Sequence, residues 1–442
     1  MKSKVGIVKY EEPFVSVKKA VELSGAFDHL KTGDRVFVKP NIVFWSRKVP
    51  MPPWGVITTT RVVEDVVKLL KDYGAGEIII GEGTMTTDPG DLKTPAHAFE
   101  TLGYNRLAKL YGVKILNLFE DEFIRVNLEN DITLNCAGEL LDADFVVSVP
   151  VLKTHAQTIV SLSQKNLKGC LDIKSRKKCH SNSVERDLDF HVAALARLLP
   201  RASAVIDGIY SLERGPAYTG KARRTNLVVA SADLLGADIA GAGLMGIDPA
   251  DVPHLKIACK EKGIVPSIES IETAGEPVSK TAIPHKWDFP FNHEKNLPFN
   301  LESIGVKGLS FPKFDHSLCT YCSEIIGPLQ VALGNAWKGD PFDNVEILTG
   351  KIRLPSKGMN HTILMGKCQA ELNRKNPDIK DAIIVPGCPP KKEKLISGLL
   401  QAGIDVDPSF LDNLEDAPAL FMKRYKGKPE FTNRFYRIED GV

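Results

Sequence analysis

The sequence predicts an α/β protein: a doubly wound, mostly parallel sheet in the N-terminal part, and a smaller C-terminal α/β domain built around cysteines. Three observations predict it. Short Val/Ile-rich runs recur without polar alternation, helical patterns separate them, and the same alternation resumes after a proline-rich stretch. Continuous apolar runs are the pattern of strands buried on both faces, and strand–helix alternation implies parallel neighbours joined by crossover helices.

Taken in order, the strand-like runs of the first part are VGIVKY, RVFVKPN, EIIIGEG, VKILNL, FVVSVPV, ASAVIDGI and NLVVAS. Between the second and third, TRVVEDVVKLLKDYG sets Val62, Val63, Val66, Val67 and Leu70 on one helical stripe and ends at Gly74, a suitable C-cap. FIRVNLENDITLNCAGELLDADFV breaks the order and reads as an inserted hairpin turning at Glu129, Asn130 and Asp131. Residues 1–264 thus form one α/β domain. Residues 265–310, rich in proline and polar side chains, read as an irregular linker or extension. Residues 311–442 form the second domain, with a helix over CSEIIGPLQVALGNAWKG, strands in NVEILTG, HTILMGKC and DAIIVPGC, and a helix over KKEKLISGLLQAG.

Composition bounds the function classes. With 442 residues, 43% hydrophobic and 25% charged, the chain can bury two or three cores. A formal net charge of +2 gives no electrostatic footprint for nucleic acid. No apolar run approaches the roughly 18 residues of a membrane span, and MKSKVGIVKYEEP enters a strand without a signal-peptide pattern, so a cytoplasmic protein without membrane insertion is expected. In that setting eight cysteines do not read as a disulfide framework.

Four of them carry the chemistry. Cys319 and Cys322 in LCTYC, Cys368 in MGKCQA and Cys388 in VPGCPP supply four thiolates, the last followed by proline, which suits Cys₄ ligation of an iron–sulfur cluster. The cofactor expected is therefore a [4Fe-4S] cluster, with a structural zinc as the alternative. Cys368 and Cys388 each follow a strand-like run and would emerge at carboxyl ends of neighbouring strands. Cys136 and Cys259 sit in apolar patterns as core thiols. Cys170, Cys179 and His180 lack an evident fourth ligand.

A second constellation lies at strand ends: Lys39 and Asn41 after RVFV, Glu82 and Thr84 after EIIIG, Lys153 and His155 after FVVSVPVL, and Asp207 after SAVI. In an open α/β sheet, ligands bind beyond the carboxyl ends of the strands. Lys153, His155 and Asp207 are the candidates for acid–base chemistry. Lys39, Asn41, Glu82 and Thr84, joined by Lys165, Asn166 and Lys168 downstream, are the candidates for holding a ligand or a second, unidentified cofactor in the cleft. The basic run Lys174 to Lys178 reads as a solvated loop, and neither a Walker loop nor a G-x-G-x-x-G fingerprint is present.

The segments VFVKPNIV, TTT before TRVVEDVVKLL, EIIIGEGT, VPVLKTHAQT with KNLKG, and VIDGI followed by ADLLGADIAGAGLMG resemble the domain-of-unknown-function family 362, whose members often carry ferredoxin-type cysteines. This chain lacks the repeated C-x-x-C-x-x-C-x-x-x-C-P run, so the resemblance implies one cluster rather than two. VPGCPP resembles the cluster-binding end of the respiratory complex I iron–sulfur subunit and of hydrogenase small subunits, which implies Cys388 as a cluster ligand. The strand order, with a Lys/His pair in mid-chain, is more distantly similar to the nickel-pincer lactate racemases. Three functions stay open: an oxidoreductase or electron-transfer protein working with a redox partner protein or a small-molecule ligand, a non-redox enzyme or metalloenzyme maturation factor, and a non-catalytic relay or assembly partner.

Overall fold

The computed structural model describes residues 2–85, 90–129, 131–199, 201–409 and 416–438. Contacts group the chain into two units: Met1–Arg176, Asp189–Asp288 and Pro418–Val442 in the first, Lys177–Leu188 and Phe289–Ala417 in the second.

The strands of the first unit are Ser3–Lys9 (β1), Val36–Pro40 (β2), Ile78–Glu82 (β3), Lys114–Asn117 (β4), Phe123–Glu129 (β5), Ile132–Ala137 (β6), Phe145–Val149 (β7), Val151–His155 (β8), Ile159–Ser161 (β9), Ala202–Glu213 (β10), Lys221–Ser231 (β11) and Ile271–Gly275 (β12). Ten of them form one mixed, mostly parallel sheet in the order β12-β1-β11-β10-β7-β2-β3-β4, with β8 paired to β10 and β9 to β8. Every strand expected from the sequence is present, as is the β5–β6 hairpin; Asn130 of its expected turn lies outside the described residues. The sheet departs from the parallel expectation at β11, which runs antiparallel to both β1 and β10. Only seven residues separate β10 from β11, too few for a crossover helix, so a hairpin is the available connection. The segment expected as a linker contributes β12, a short parallel edge strand on β1.

The helix Thr60–Asp72 shows how local chemistry sets the architecture. Thr59 accepts from Val62 N–H as its N-cap, and Val62, Val63, Val66, Val67 and Leu70 are fully buried in the core that it shares with β2 and β3. The stripe legible in the sequence is the face that packs on the sheet.

The second unit has a four-stranded parallel sheet: Leu309–Ser310 (β13), Val345–Leu348 (β14), His361–Met365 (β15) and Ala382–Val385 (β16), in chain order. Helices Thr320–Ala336 and Lys392–Gln401 match the helical patterns read there, and the Lys392–Gln401 helix begins just after Pro389 and Pro390. The core runs from Leu309 and Leu329 to Val385 and Ile404.

Candidate functional site

In the first unit, β2, β3, β4 and β7 run parallel in matched register, so Lys39 and Pro40, Glu82, Asn117, and Ser148 and Val149 reach the same sheet edge. There the Lys39 ammonium meets Glu82 Oε1 at 2.7 Å, with both side chains almost wholly buried. Glu82 also accepts from the Ile42 and Gly83 amides at 2.7 and 2.8 Å, and Lys39 donates to Pro40 O at 2.7 Å. Three hydrogen bonds or ion contacts on the carboxylate offset the cost of burying its charge. Gly169 packs directly on this pair: a methyl carbon there would stand 3.0 Å from Lys39 Nζ.

Lys153 lies within β8, not in a loop after a strand, because Val151–His155 pairs with both β10 and β9. Its ammonium donates to Asn41 Oδ1 at 2.6 Å, Val56 O at 2.7 Å and Pro216 O at 3.2 Å. Burial, with the Lys165 and Lys39 charges, pushes its pKa well down. Three acceptors oppose that push, since only the charged form supplies three N–H donors. Lys153 therefore orients Asn41, whose amide donates to Asn166 Oδ1 at 3.3 Å; Asn166 in turn donates to Lys39 O at 2.8 Å and Ser148 Oγ at 3.2 Å. Asn41, Lys165 and Lys168 are the half-buried members of the set.

Thr84 Oγ1 is buried without a hydrogen-bond partner among the described residues. His155 Nδ1 accepts from the amides of Gln157 and Thr158, at 3.1 and 3.4 Å, which fixes its ring against the following turn. Asp207 sits on β10 with both oxygens taken by backbone amides, from Thr59 at 2.6 Å and Ile209 at 3.0 Å. Burial raises its pKa to about 6 against those bonds. The role visible for Asp207 is to anchor the start of the Thr60–Asp72 helix.

The short helix Ser163–Asn166, which carries Lys165 and Asn166, is held by Asp238: its carboxylate accepts from Ser163 N–H at 2.7 Å and Gln164 N–H at 3.0 Å. Burial raises the Asp238 pKa to about 6, while these bonds and the charge of His254 act downward. A folded-state value above the unfolded one of about 4 means that the protonated form favours folding, so this stability is present in acid and lost as pH rises through about 6. Between pH 4 and 6 the protein is expected to lose on the order of 2 kcal/mol more stability than an Asp238→Asn variant. Urea unfolding of both at pH 4, 5 and 6 checks this, and equal losses would clear Asp238 of the linkage.

The second unit gathers the four cysteines singled out by sequence. Cys319 caps the helix Thr320–Ala336 and Cys322 lies in its first turn. Cys368 lies in the first turn of the helix Gly366–Asn373 after β15, and Cys388 follows β16. The thiols act on one another: Cys322 is pushed up by a hydrogen bond with Cys319, by burial and by the charges of Cys319, Cys368 and Cys388. Cys368 is raised by burial and by Cys319 and Cys388. Cys319 goes the other way, down to about 5, through its bond with Cys322, the backbone amides of Tyr321 and Cys322, and the Lys351 charge. Gly366, at φ +88°, lies beside the sulfur of Cys322, and its neighbour Lys367 donates to the carbonyl of Gly387, at φ +126°. Both glycines take backbone conformations that other residues avoid, and they let the two cysteine-bearing turns approach. Among the described residues, no three His, Cys, Asp or Glu side chains gather tightly enough to hold a single metal ion. Cys136, Cys170, Cys179 and Cys259 are buried.

Residues 36–243 match the family model of a domain of unknown function, DUF362. A thylakoid-associated protein of Synechocystis sp. is 27% identical over 320 residues, covering 71% of this chain and 91% of its own length. Among solved structures, the lactate racemase apoprotein of Thermoanaerobacterium thermosaccharolyticum aligns with a TM-score of 0.32 and 15% identity over 56% of this chain and 58% of its own. A Thermotoga maritima protein aligns with a TM-score of 0.28 and 12% identity over 57% of this chain and 60% of its own. No helix among the described residues is long and apolar enough to cross a membrane.

All ten candidates of that constellation, seven at strand ends and three downstream, fall inside the matched segment and all four clustered cysteines fall outside it. Within the segment, sequence reasoning passed over Thr58, Thr59, Ser148, Arg176 and Asp238. The threonine run had a legible cue, since threonine before a helical stripe is an N-cap; Thr58 Oγ1 accepts from Asn41 N–H at 2.8 Å and donates to Val149 O at 2.7 Å. The basic run proved helical, over Ile173–Cys179, with Lys174 and Lys178 exposed as expected. Arg176 is engaged instead, donating to Gly83 O at 2.8 Å and to Gly169 O at 2.5 Å beside the Lys39–Glu82 pair.

Proposed function

We propose that this protein binds a [4Fe-4S] cluster through Cys319, Cys322, Cys368 and Cys388 and serves as an oxidoreductase or electron-transfer protein, with a small ligand or second cofactor at the sheet edge of the DUF362 segment. The observation that carries the reading is the mutual electrostatic effect of four thiols that come from three separate chain stretches. A cluster asks each thiolate to reach a different iron, so it needs no three donors around one point, whereas a structural zinc does. When bound, the cluster supplies one-electron chemistry. The chain's own residues then have defined tasks: Cys319 offers a thiolate at neutral pH, Gly366 keeps a side chain out of the space beside the Cys322 sulfur, and burial of Cys319 limits water on one flank.

At the sheet edge, Asn41, Lys165 and Lys168 are the groups with exposed surface to offer a ligand, while Lys39, Glu82 and Lys153 fix the backbone around them. Cationic and amide donors suit an anionic or carbonyl-bearing small molecule. A cytoplasmic location and a redox partner protein belong to the same proposal. The test is iron and acid-labile sulfide on anaerobically purified protein, with visible and EPR spectra before and after dithionite. About four irons and four sulfides per chain with a reducible signal are expected. Zinc without sulfide would overturn the redox reading and leave a structural site.

A further inference from the structure

Lys351 stands in the loop after β14, and its attachments are unusual for a lysine that is only half-buried. Its backbone N–H donates to Ser317 Oγ at 2.8 Å, two residues before Cys319. Ser317 is itself fixed, its amide donating to Asp315 Oδ1 at 2.8 Å, and Gly350 is pressed against it: a methyl carbon on Gly350 would stand 2.8 Å from Ser317 Oγ. The Lys351 ammonium donates to Lys177 O at 2.9 Å and to His180 O. Two backbone carbonyls, neither of them charged, therefore hold the cation. Through Ser317 the lysine is tied to the turn that leads into Cys319, and through the Lys177 carbonyl to the segment that packs on Tyr321 between Cys319 and Cys322.

We propose that Lys351 is the positioning cation of the four-thiol site, clamped by the carbonyls of Lys177 and His180 so that its charge sets the redox balance of the cluster held there. The inference rests on the cluster reading above. One-electron reduction adds one negative charge to the cluster and neither makes nor breaks a bond. A fixed cation nearby favours the more negative, reduced form, so it raises the midpoint potential. The carbonyl clamp matters because an exposed lysine on a free stem is screened and mobile, whereas a held one keeps its distance. The same segment brings a second cation close by: Lys177 Nζ lies 4.2 Å from the centre of the Tyr321 ring, within the Cys319–Cys322 stretch.

The experiment compares wild type with Lys351→Met, Lys351→Gln and Lys351→Arg, reading iron and sulfide content first and then the midpoint potential by EPR-monitored dithionite titration. Lys351→Met is expected to keep its iron and to lose about tenfold in the reduction equilibrium, a fall of about 59 mV for a one-electron couple. Lys351→Arg should return most of that shift, because charge is retained. Should Lys351→Met lose iron through misfolding, Lys351→Gln, which keeps a hydrogen-bond donor, carries the comparison. Unmoved potentials at full iron content would overturn the role of Lys351 and leave the cluster reading standing. Absence of iron and sulfide from the wild type would overturn both.

Discussion

Replacing Glu82 by glutamine is expected to destabilise the first unit by about 3–5 kcal/mol, the cost of leaving a buried charge without its partner. The Lys39 ammonium has no solvent to turn to: Lys39 is fully buried and Glu82 is 2% exposed. Glutamine keeps an oxygen for the Ile42 or Gly83 amide but withdraws the charge 2.7 Å from Nζ, where Gly169 packs close to the lysine's end. The double variant Lys39→Met/Glu82→Gln should recover a substantial part of the loss, since the uncompensated charge is then gone. Urea unfolding, with hydrogen exchange at the β2 and β3 amides to isolate this unit, measures all three. A double variant no more stable than Glu82→Gln would sink the argument, for the loss would then come from packing rather than from charge.

That pair also shows what the sequence makes legible. Lys39 and Glu82 were readable as strand-end residues because apolar runs stop at them, and parallel neighbours in an α/β sheet end at one edge. Their direct pairing was not readable, because it depends on the register of β2 against β3, which a string of residues does not carry. The same limit explains β11. Val/Ile-rich runs signal burial on both faces but not direction, and only the short link from β10 makes that strand antiparallel.

Among the site candidates, type was legible and task was not. Lys153 was readable as a strand-end lysine suited to acid–base chemistry, yet it lies within a strand and three acceptors converge on its ammonium and give it an orienting task. Asp207 was readable as a carboxylate near a strand end, yet two amides occupy it. Asp238 stands in an apolar helix, ADLLGADIAGAGLMG, where a lone buried carboxylate was itself a cue: it has to find donors, and it finds them at Ser163 and Gln164. Cys-x-x-Cys before a helix was readable as a pair, and the strand-end positions of Cys368 and Cys388 followed from the apolar runs before them.

On the cluster reading proposed above, Cys368→Ser and Cys388→Ser are expected to lower iron content, each by more than the about 10–100-fold that changes outside a ligand shell cost. These two decide more than the variants at Cys319 and Cys322 do. A Cys-x-x-Cys pair at a helix N-terminus, with one thiol lowered to about 5 and its partner raised, is also the constellation of a dithiol redox couple. Such a couple uses only its own two sulfurs and is indifferent to thiols elsewhere. A cluster needs all four, because each ligand closes a different corner. Cys259→Ala, a buried thiol of the first unit and not of the second, should keep full iron and serves as the control for handling losses. Iron retained in both the Cys368 and Cys388 variants, with thiol–disulfide exchange abolished by Cys319→Ser, would transfer the chemistry from a metal cluster to the dithiol. Iron lost in both, with the control intact, makes the second unit a cluster-binding domain whose sulfurs are spread over three chain segments and joined only by the fold.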